Sequence, residues 1–330
     1  MANTFTINDE VSDEAAYLCE TDFPISAGTL FILIFIISVI GNGLLLCVLF
    51  IYEKLTRVTN IFILNLTCSD LIFTITLPFW AVDHLHHWVF GDFVCKFMTA
   101  AFFVGLYSSV ILLTAMTVDR FIKVVLHKWP SNHARKKYAV GACISAWVIS
   151  ISASLSDAMK VKVVKWDGFE YCEDGSDEKL GRYLQVSLLF FLPFAIIIFC
   201  YSAILKTVLQ GLKKKKHTTV ALLLCIVAAF FISWGPYHIM LLINSLYTPK
   251  GCKAQGCLSI IYHISEMLAY SHCCMNPLLY MISQDSQKHL FNLLCCEKLC
   301  RKNREKDTSQ KTFVIQNVAF TAESSVVKSN

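Results

Sequence analysis

The hydrophobic pattern of this 330-residue chain breaks into seven long apolar stretches separated by short polar connections. They run approximately over 25–51, 61–83, 94–118, 138–158, 183–210, 219–247 and 257–282. A helix needs roughly 20 apolar residues to cross the hydrocarbon core of a bilayer, and each stretch is long enough. Backbone polar groups in lipid have to be satisfied within the spanning segment, so helices are the economical reading. The pattern predicts an all-α membrane protein, a seven-transmembrane helix bundle over 25–282. An acidic segment, 1–24, precedes it. A short amphipathic eighth helix, 283–297, and a disordered tail, 298–330, are expected to follow.

Composition agrees. The chain is 55% hydrophobic and 16% charged, whereas a soluble domain carries about a quarter charged residues. The distribution of Lys and Arg then sets orientation. Residues 1–24 hold six acids and no Lys or Arg. The basic residues gather at Lys54 and Arg57, at Lys128, Arg135, Lys136 and Lys137, at Lys213 to Lys216, and at Lys298, Arg301, Lys302, Arg304 and Lys306. Those connections and the tail are expected in the cytoplasm, with the N-terminus outside, in a multi-pass plasma-membrane protein. The first residues lack both a basic and an apolar region, so no cleavable signal is expected and the first span directs insertion. The net charge of +5 follows from this bias, with anionic membrane lipid as a partner and no call for nucleic acid.

Polar residues inside the spans carry the candidate chemistry, because burying charge in lipid costs roughly 2.5–3.5 kcal/mol. Asp119 and Arg120, in "AMTVDRFIKVV", lie about one helical turn inside the cytoplasmic interface. Their adjacency suggests that each partners the other, with the arginine free to swing. Asp70, in "LNLTCSDLIF", lies deep in the second span. It serves either as a packing residue bonded to Asn42 or Asn276, or as a proton relay or sodium site with Ser109 and Asn276. Glu266, Asp83 and Asp157 lie towards the outer ends of their spans; together on one cavity they would suit a basic ligand. Separately they would be snorkelling rim residues. Pro78, Pro193, Pro236 and Pro277 interrupt four spans; the last two are candidate hinges. His84, His86 and His87 fall at an outer connection with no nucleophile or ligand set to complete an enzyme site, so no catalysis is expected.

Fifteen cysteines sort by depth. Cys47, Cys68, Cys143, Cys200, Cys225, Cys273 and Cys274 fall inside spans, where thiols mostly pack. Cys295, Cys296 and Cys300, beside basic residues past the last span, are palmitoylation candidates. Cys19, Cys95, Cys172, Cys252 and Cys257 face the oxidising side, an odd number whose connectivity stays open. A bridge from Cys95 to Cys172 would pin the long outer loop across the bundle mouth.

The ordered set "GN" with Asn42, "LNLTCSD" with Asp70, "VDRF" with Arg120, Trp147, Pro193, "SWGPY" with Trp234 and Pro236, and "NPLLY" with Tyr280 resembles rhodopsin-like G-protein-coupled receptors over nearly the whole chain. Within that family "TLPFWAVD", "HWVFGDFVCK", "YSSVILLTAMTVDR" and "SHCCMNPLLY" are similar to chemokine receptors. "YEKLTRVTNIFILNL" and "SWGPY" lean towards the XC branch; with "LGRYLQVSLLFFLPF" they leave the subtype open. The resemblance implies a second outer disulfide, Cys19 to Cys252, with Cys257 left over. It implies that Trp80, Asp83, Phe102, Asp157, Tyr237 and Glu266 line the cavity that takes a chemokine's N-terminus. Phe102 stands where many relatives have Tyr. The segment around Tyr17, Glu20 and Asp22 would grip the basic body of the chemokine, with Tyr17 either sulfated or an ordinary exposed tyrosine.

The same resemblance makes Asp119, Arg120, Tyr201, Trp234, Pro236, Asn276, Pro277 and Tyr280 the activation switch, the freed Arg120 reaching Tyr201 and a heterotrimeric, inhibitory-type G protein. Arrestin would follow phosphorylation of Thr308, Ser309, Thr312, Thr321, Ser324, Ser325 and Ser329. Three departures bear on coupling: Phe121 for the usual Tyr, Lys123 for a small residue, and Lys216 where some relatives carry an acid. A scavenging receptor that internalises chemokine without signalling is the alternative, against which the retained Asp-Arg pair counts. A retinal photoreceptor is disfavoured because Tyr270 occupies the lysine position. The sequon at Asn65 lies on the cytoplasmic side of a span and is discounted.

Overall fold

The computed structural model describes residues 23–282 apart from 54, 129–130, 167, 175–178, 211–216 and 247–251. The elements are α1 (Phe23–Ile51), α2 (Val58–Leu85), α3 (Gly91–Phe121), a π-helical turn (Ile122–Leu126), α4 (Asn132–Lys160), β1 (Val161–Trp166), β2 (Phe169–Asp174), α5 (Lys179–Gln210), α6 (His217–Leu246), α7 (Cys252–Tyr270) and α8 (His272–Ile282). The compact unit Met1–Tyr280 holds the bundle. Of a second unit, Met281–Asn330, only Met281 and Ile282 are among the described residues. The expected helix over 283–297, the tail with Cys295, Cys296 and Cys300, and the segment with Tyr17, Cys19, Glu20 and Asp22 therefore lie outside them, as does the side chain of Cys252.

Six helices among the described residues are long and apolar enough to cross a membrane. The seventh predicted crossing, 257–282, is formed by α7 and α8 with a break at Ser271. The fold is the seven-helix bundle that the apolar pattern predicts, with helices that outrun the apolar stretches at their ends. Ser131 explains one extension: its side chain accepts the backbone N–H of Ala134 at 3.1 Å and caps α4 at Asn132. Arg135, Lys136 and Lys137 are consequently helical, where the pattern places them in a connection.

α4 shows why these helices face as they do. Ala139, Cys143, Ala146, Ser150, Ser154 and Asp157 are buried, while Val140, Ile144, Val148, Ile151 and Leu155 are exposed. Small and polar residues turn inward and large apolar ones outward, the arrangement expected when the surroundings are lipid and close approach drives packing. α2 and α3 approach closely at Gly105, where a Cβ would come within 2.7 Å of the Phe73 Cβ.

Interhelical hydrogen bonds tie this packing together. Trp147 donates to Asn65 at 2.9 Å, Ser108 to Ser69 at 2.7 Å, and Ser38 and Thr74 share a bond of 2.6 Å. The sequon residue Asn65 is thus a packing residue. Pro277 removes the N–H that would bond the carbonyl four residues earlier, that of Cys273. Asn42 supplies the missing donor: its amide reaches the Cys273 carbonyl at 2.9 Å, and Ser38 donates to the same oxygen at 3.3 Å. A proline inside a spanning helix is tolerated on this condition. Asn42→Ala should lower stability by about 1–3 kcal/mol, since a buried acceptor loses its best partner. A thermal melt of the detergent-solubilised protein checks this, and an unchanged midpoint would contradict it.

β1 and β2 pair antiparallel, from Val161 with Asp174 to Trp166 with Phe169. Gly168, just before β2, stands at φ +84°, in the left-handed region that favours glycine. Three attachments hold the hairpin to the α2–α3 end: the Cys95–Cys172 disulfide, the Trp88 N–H to Glu170 carbonyl bond of 2.7 Å, and the Val163 N–H to Asp92 bond of 3.2 Å.

Candidate functional site

A cavity of about 270 Å³ opens at the hairpin end of the bundle. Helical spacing assembles it: residues three and four apart share a face. α2 contributes Trp80, Asp83 and His84, α3 Thr99, Phe102 and Phe103, α6 Tyr237, and α7 Glu266 and Tyr270. Val161 and Cys172 of the hairpin complete the wall. Neither Lys nor Arg is among these lining residues, so two carboxylates set its charge.

Several polar atoms here have no hydrogen-bond partner among the described residues: Trp80 Nε1, Asp83 Oδ1 and Thr99 Oγ1. Buried polar groups are rarely left so, and each is available to a guest. Glu266 is held in place. It accepts the Tyr270 hydroxyl at 3.2 Å through Oε1, while Oε2 faces His263 Nδ1 at 3.3 Å and His84 Nε2 at 4.0 Å.

Five of the six residues expected around this cavity line it; Asp157 does not. Its carboxylate is fully buried between α3 and α4 and accepts the Tyr107 hydroxyl at 2.8 Å. Depth along α4 correctly suggests the outer half, but the helix turns this side chain towards α3. Asp157 is a packing residue. Glu266 and Asp83 therefore supply the cavity's acids without it.

Below the cavity the rings are contiguous. Phe102 lies 5.3 Å from Tyr270 and 6.5 Å from Trp234, and Tyr237 lies 5.7 Å from Trp234, centroid to centroid. Trp234 is fully buried, and His272 lies 5.2 Å beyond it. His272 Nε2 in turn stands 4.0 Å from Asp70 Oδ1.

Asp70 is itself fully buried, accepting Asn276 Nδ2–H at 2.6 Å and the Ser109 hydroxyl at 3.4 Å. Of the two packing partners considered for it, Asn276 is the one it meets; Asn42 is spent on the Cys273 carbonyl. His272 Nδ1 lies 2.9 Å from the Ala269 carbonyl, which fixes the proton there. Nε2, buried without a hydrogen-bond partner among the described residues, stands on the side of a carboxylate oxygen. The amide nitrogen of Asn276 faces the Asp70 carboxylate and cannot serve as a cation ligand, so the oxygens of Asp70 and Ser109 are the expected sodium donors that remain.

At the opposite end, the expected clasp between Asp119 and Arg120 is replaced by another. Both carboxylate oxygens of Asp119 accept from Arg135, at 2.6 Å from Nε and 2.5 Å from Nη2. Arg120 donates through Nη2 to the Thr59 hydroxyl of α2. The reason is geometric, since neighbours in sequence point about 100° apart on a helix and do not face each other. Arg120 is 8% exposed, and its Nε has no partner among the described residues. The residue after it, Phe121, packs against Phe199 of α5 at 5.9 Å. A cavity of about 400 Å³ nearby is lined by Lys123, His127, Ser131, Asn132 and Arg135.

The remaining switch residues are placed as follows. Tyr201 is buried in the bundle core, Pro236 is interior to α6, and Asn276 and Pro277 lie in α8. The side chain of Tyr280 lies outside the described residues. Cys257 is a free, exposed thiol on α7.

Comparison with known proteins follows the same lines. Residues 41–280 match the family described as 7 transmembrane receptor (rhodopsin family). The chain is 39% identical over 280 residues to the human chemokine XC receptor 1, covering 82% of each chain. It is 36% identical over 316 residues to the mouse chemokine XC receptor 1, covering 93% of this chain and 96% of the relative. It is also 33% identical over 277 residues to the guinea-pig (Cavia porcellus) C-C chemokine receptor type 3, covering 81% and 77%.

Proposed function

Because the chain belongs to the rhodopsin family of seven-transmembrane receptors, within its chemokine-receptor branch, we propose that the hairpin-end cavity takes the basic N-terminal segment of a chemokine from outside the cell. The N-terminus of the receptor is then extracellular, and Tyr17, Glu20 and Asp22 attract the basic body of the ligand. The carrying observation is a cavity whose charge comes from Asp83 and Glu266, with Asp83 Oδ1 unpartnered among the described residues. A cationic amine gains most where a carboxylate is already desolvated and held in place.

At the cytoplasmic end the signalling partner is a heterotrimeric G protein of the inhibitory type. Arg120 leaves Thr59 when the inner part of α6 moves out, and reaches the G protein. A ligand drives that shift only as far as it binds the open form better than the closed one. Arrestin takes the phosphorylated tail, and Cys295, Cys296 and Cys300 carry palmitate. A sodium ion held by Asp70 and Ser109 favours the closed form by occupying space that activation reorganises.

The test is a chemokine panel applied to expressing cells, with cyclic AMP and ligand uptake read together. One ligand should lower cyclic AMP; uptake without any such fall would sink the signalling reading in favour of scavenging. Glu266→Gln removes the charge and keeps the shape. It should cost about 1.5–3 kcal/mol of ligand interaction, roughly a ten- to hundredfold loss of potency at constant surface expression. Asp157→Asn, by contrast, should lower surface expression and leave the potency of the surviving receptors within about threefold.

A further inference from the structure

His84, His263 and Glu266 come together from α2 and α7, and each offers a ligand atom within 4.8 Å of the others. From this juxtaposition we infer a transition-metal site of the type that binds zinc at the wall of the cavity, which His84 and Glu266 line. Two imidazoles and one carboxylate form a zinc donor set, and three protein ligands with an open fourth position mark sites that stay accessible. Calcium and magnesium prefer all-oxygen shells and are disfavoured here. Tetrahedral zinc, with bonds of about 2.0–2.2 Å, holds its ligand atoms roughly 3.3–3.6 Å apart. The His263–Glu266 separation is already 3.3 Å and the His84–Glu266 separation 4.0 Å. Small rotations of the partly exposed His84 and His263 side chains close the rest.

The surrounding contacts prepare these ligands. His84 Nδ1 lies 2.8 Å from the Trp80 carbonyl, one turn back. A carbonyl can only accept, so Nδ1 carries a proton, and the neutral imidazole has its lone pair on Nε2, 4.0 Å from Glu266 Oε2. A second hydrogen bond of this kind is what orients a metal-binding histidine and fixes its tautomer. The Tyr270 hydroxyl occupies Glu266 Oε1, leaving Oε2 for the ion. His263 and Glu266 are three apart on α7 and share a face, while His84 belongs to α2. A bound ion therefore ties α2 to α7 and withdraws the carboxylate that a ligand amine would meet. That last consequence rests on the function proposed above; the site itself does not.

The experiment uses the full chain without a histidine tag, in lipid nanodiscs. Zinc is titrated against a chromophoric chelator, and cobalt absorbance reports tetrahedral coordination. Wild type should bind one zinc ion tightly, and His84→Ala, His263→Ala and Glu266→Gln should each weaken binding at least tenfold. His86→Ala and Cys257→Ser should bind as wild type. Zinc should raise the melting midpoint of wild type and not that of the His84→Ala/His263→Ala double variant, whose metal-free midpoint reports its folding. Absence of saturable binding by wild type, equal binding by the folded double variant, or loss of binding in Cys257→Ser would each overturn the site. In cells, zinc should shift the ligand response of wild type rightward and leave that of His84→Ala in place. Binding without such a shift would keep the metal site and remove the ligand amine from Glu266.

Discussion

Arg120→Ala is expected to abolish G-protein activation while leaving ligand capture at the opposite end intact. Among the described residues Arg120 makes one hydrogen bond, to Thr59, so the resting fold is expected to lose little when the side chain is removed. In the activated assembly the guanidinium would make at least two charge-assisted bonds, each contributing roughly 1.5–3 kcal/mol. Their loss amounts to about 3–6 kcal/mol, a hundredfold to ten-thousandfold deficit in productive coupling. A cyclic-AMP measurement on cells matched for surface receptor and bound ligand checks this. Full signalling by Arg120→Ala would show that this arginine is a topological anchor only.

Arg135→Ala is expected to do the opposite, harming the fold before the signal. Asp119 is 1% exposed, and its carboxylate is gripped at both oxygens by Arg135. Removing the guanidinium that grips both oxygens takes away the strongest compensation of a buried carboxylate, and breaking such a pair costs about 3–5 kcal/mol. Surface expression and the half-life in detergent should both collapse. The pair predicts a specific rescue: adding Asp119→Asn to Arg135→Ala removes the stranded charge, and the double variant should be more stable than Arg135→Ala alone. Simple additivity of the two losses would mean that Asp119 has its main partner elsewhere. Arg135→Lys should recover only part of the stability, because an ammonium cannot reproduce the two-pronged guanidinium contact.

Much of this molecule was legible in the sequence, and the misses share a cause. Apolar runs of spanning length report helices because lipid leaves the backbone no other way to satisfy itself, so the seven crossings could be read directly. The Cys95–Cys172 bridge was one of several open pairings, suggested by the position of Cys95 atop the third span and of Cys172 in the long outer loop, and it is present. The failures concern azimuth. Asp119 stands next to Arg120 in sequence yet faces Arg135, and Asp157 lies at the right depth but turns to Tyr107. Position along a helix says how deep a group lies; which neighbour it meets depends on how the helices are rotated and packed. The cluster of His84 with His263 and Glu266 was hidden for the same reason, since its members come from distant parts of the chain. The hairpin had a local signal, the Asp-Gly in "KWDGFEY", that the apolar pattern alone passes over.

The three attachments of the hairpin have a kinetic meaning. A lid fastened by the Cys95–Cys172 bridge, by Glu170 and by Val163 has to break these contacts before it can swing over an incoming molecule. Entry without a closing step is the expectation, with the doorway held in one shape by these contacts. Whatever passes through must thread itself as a slender, pliable end, so arrival is governed by the guest's own flexibility and departure by how firmly its tip is held.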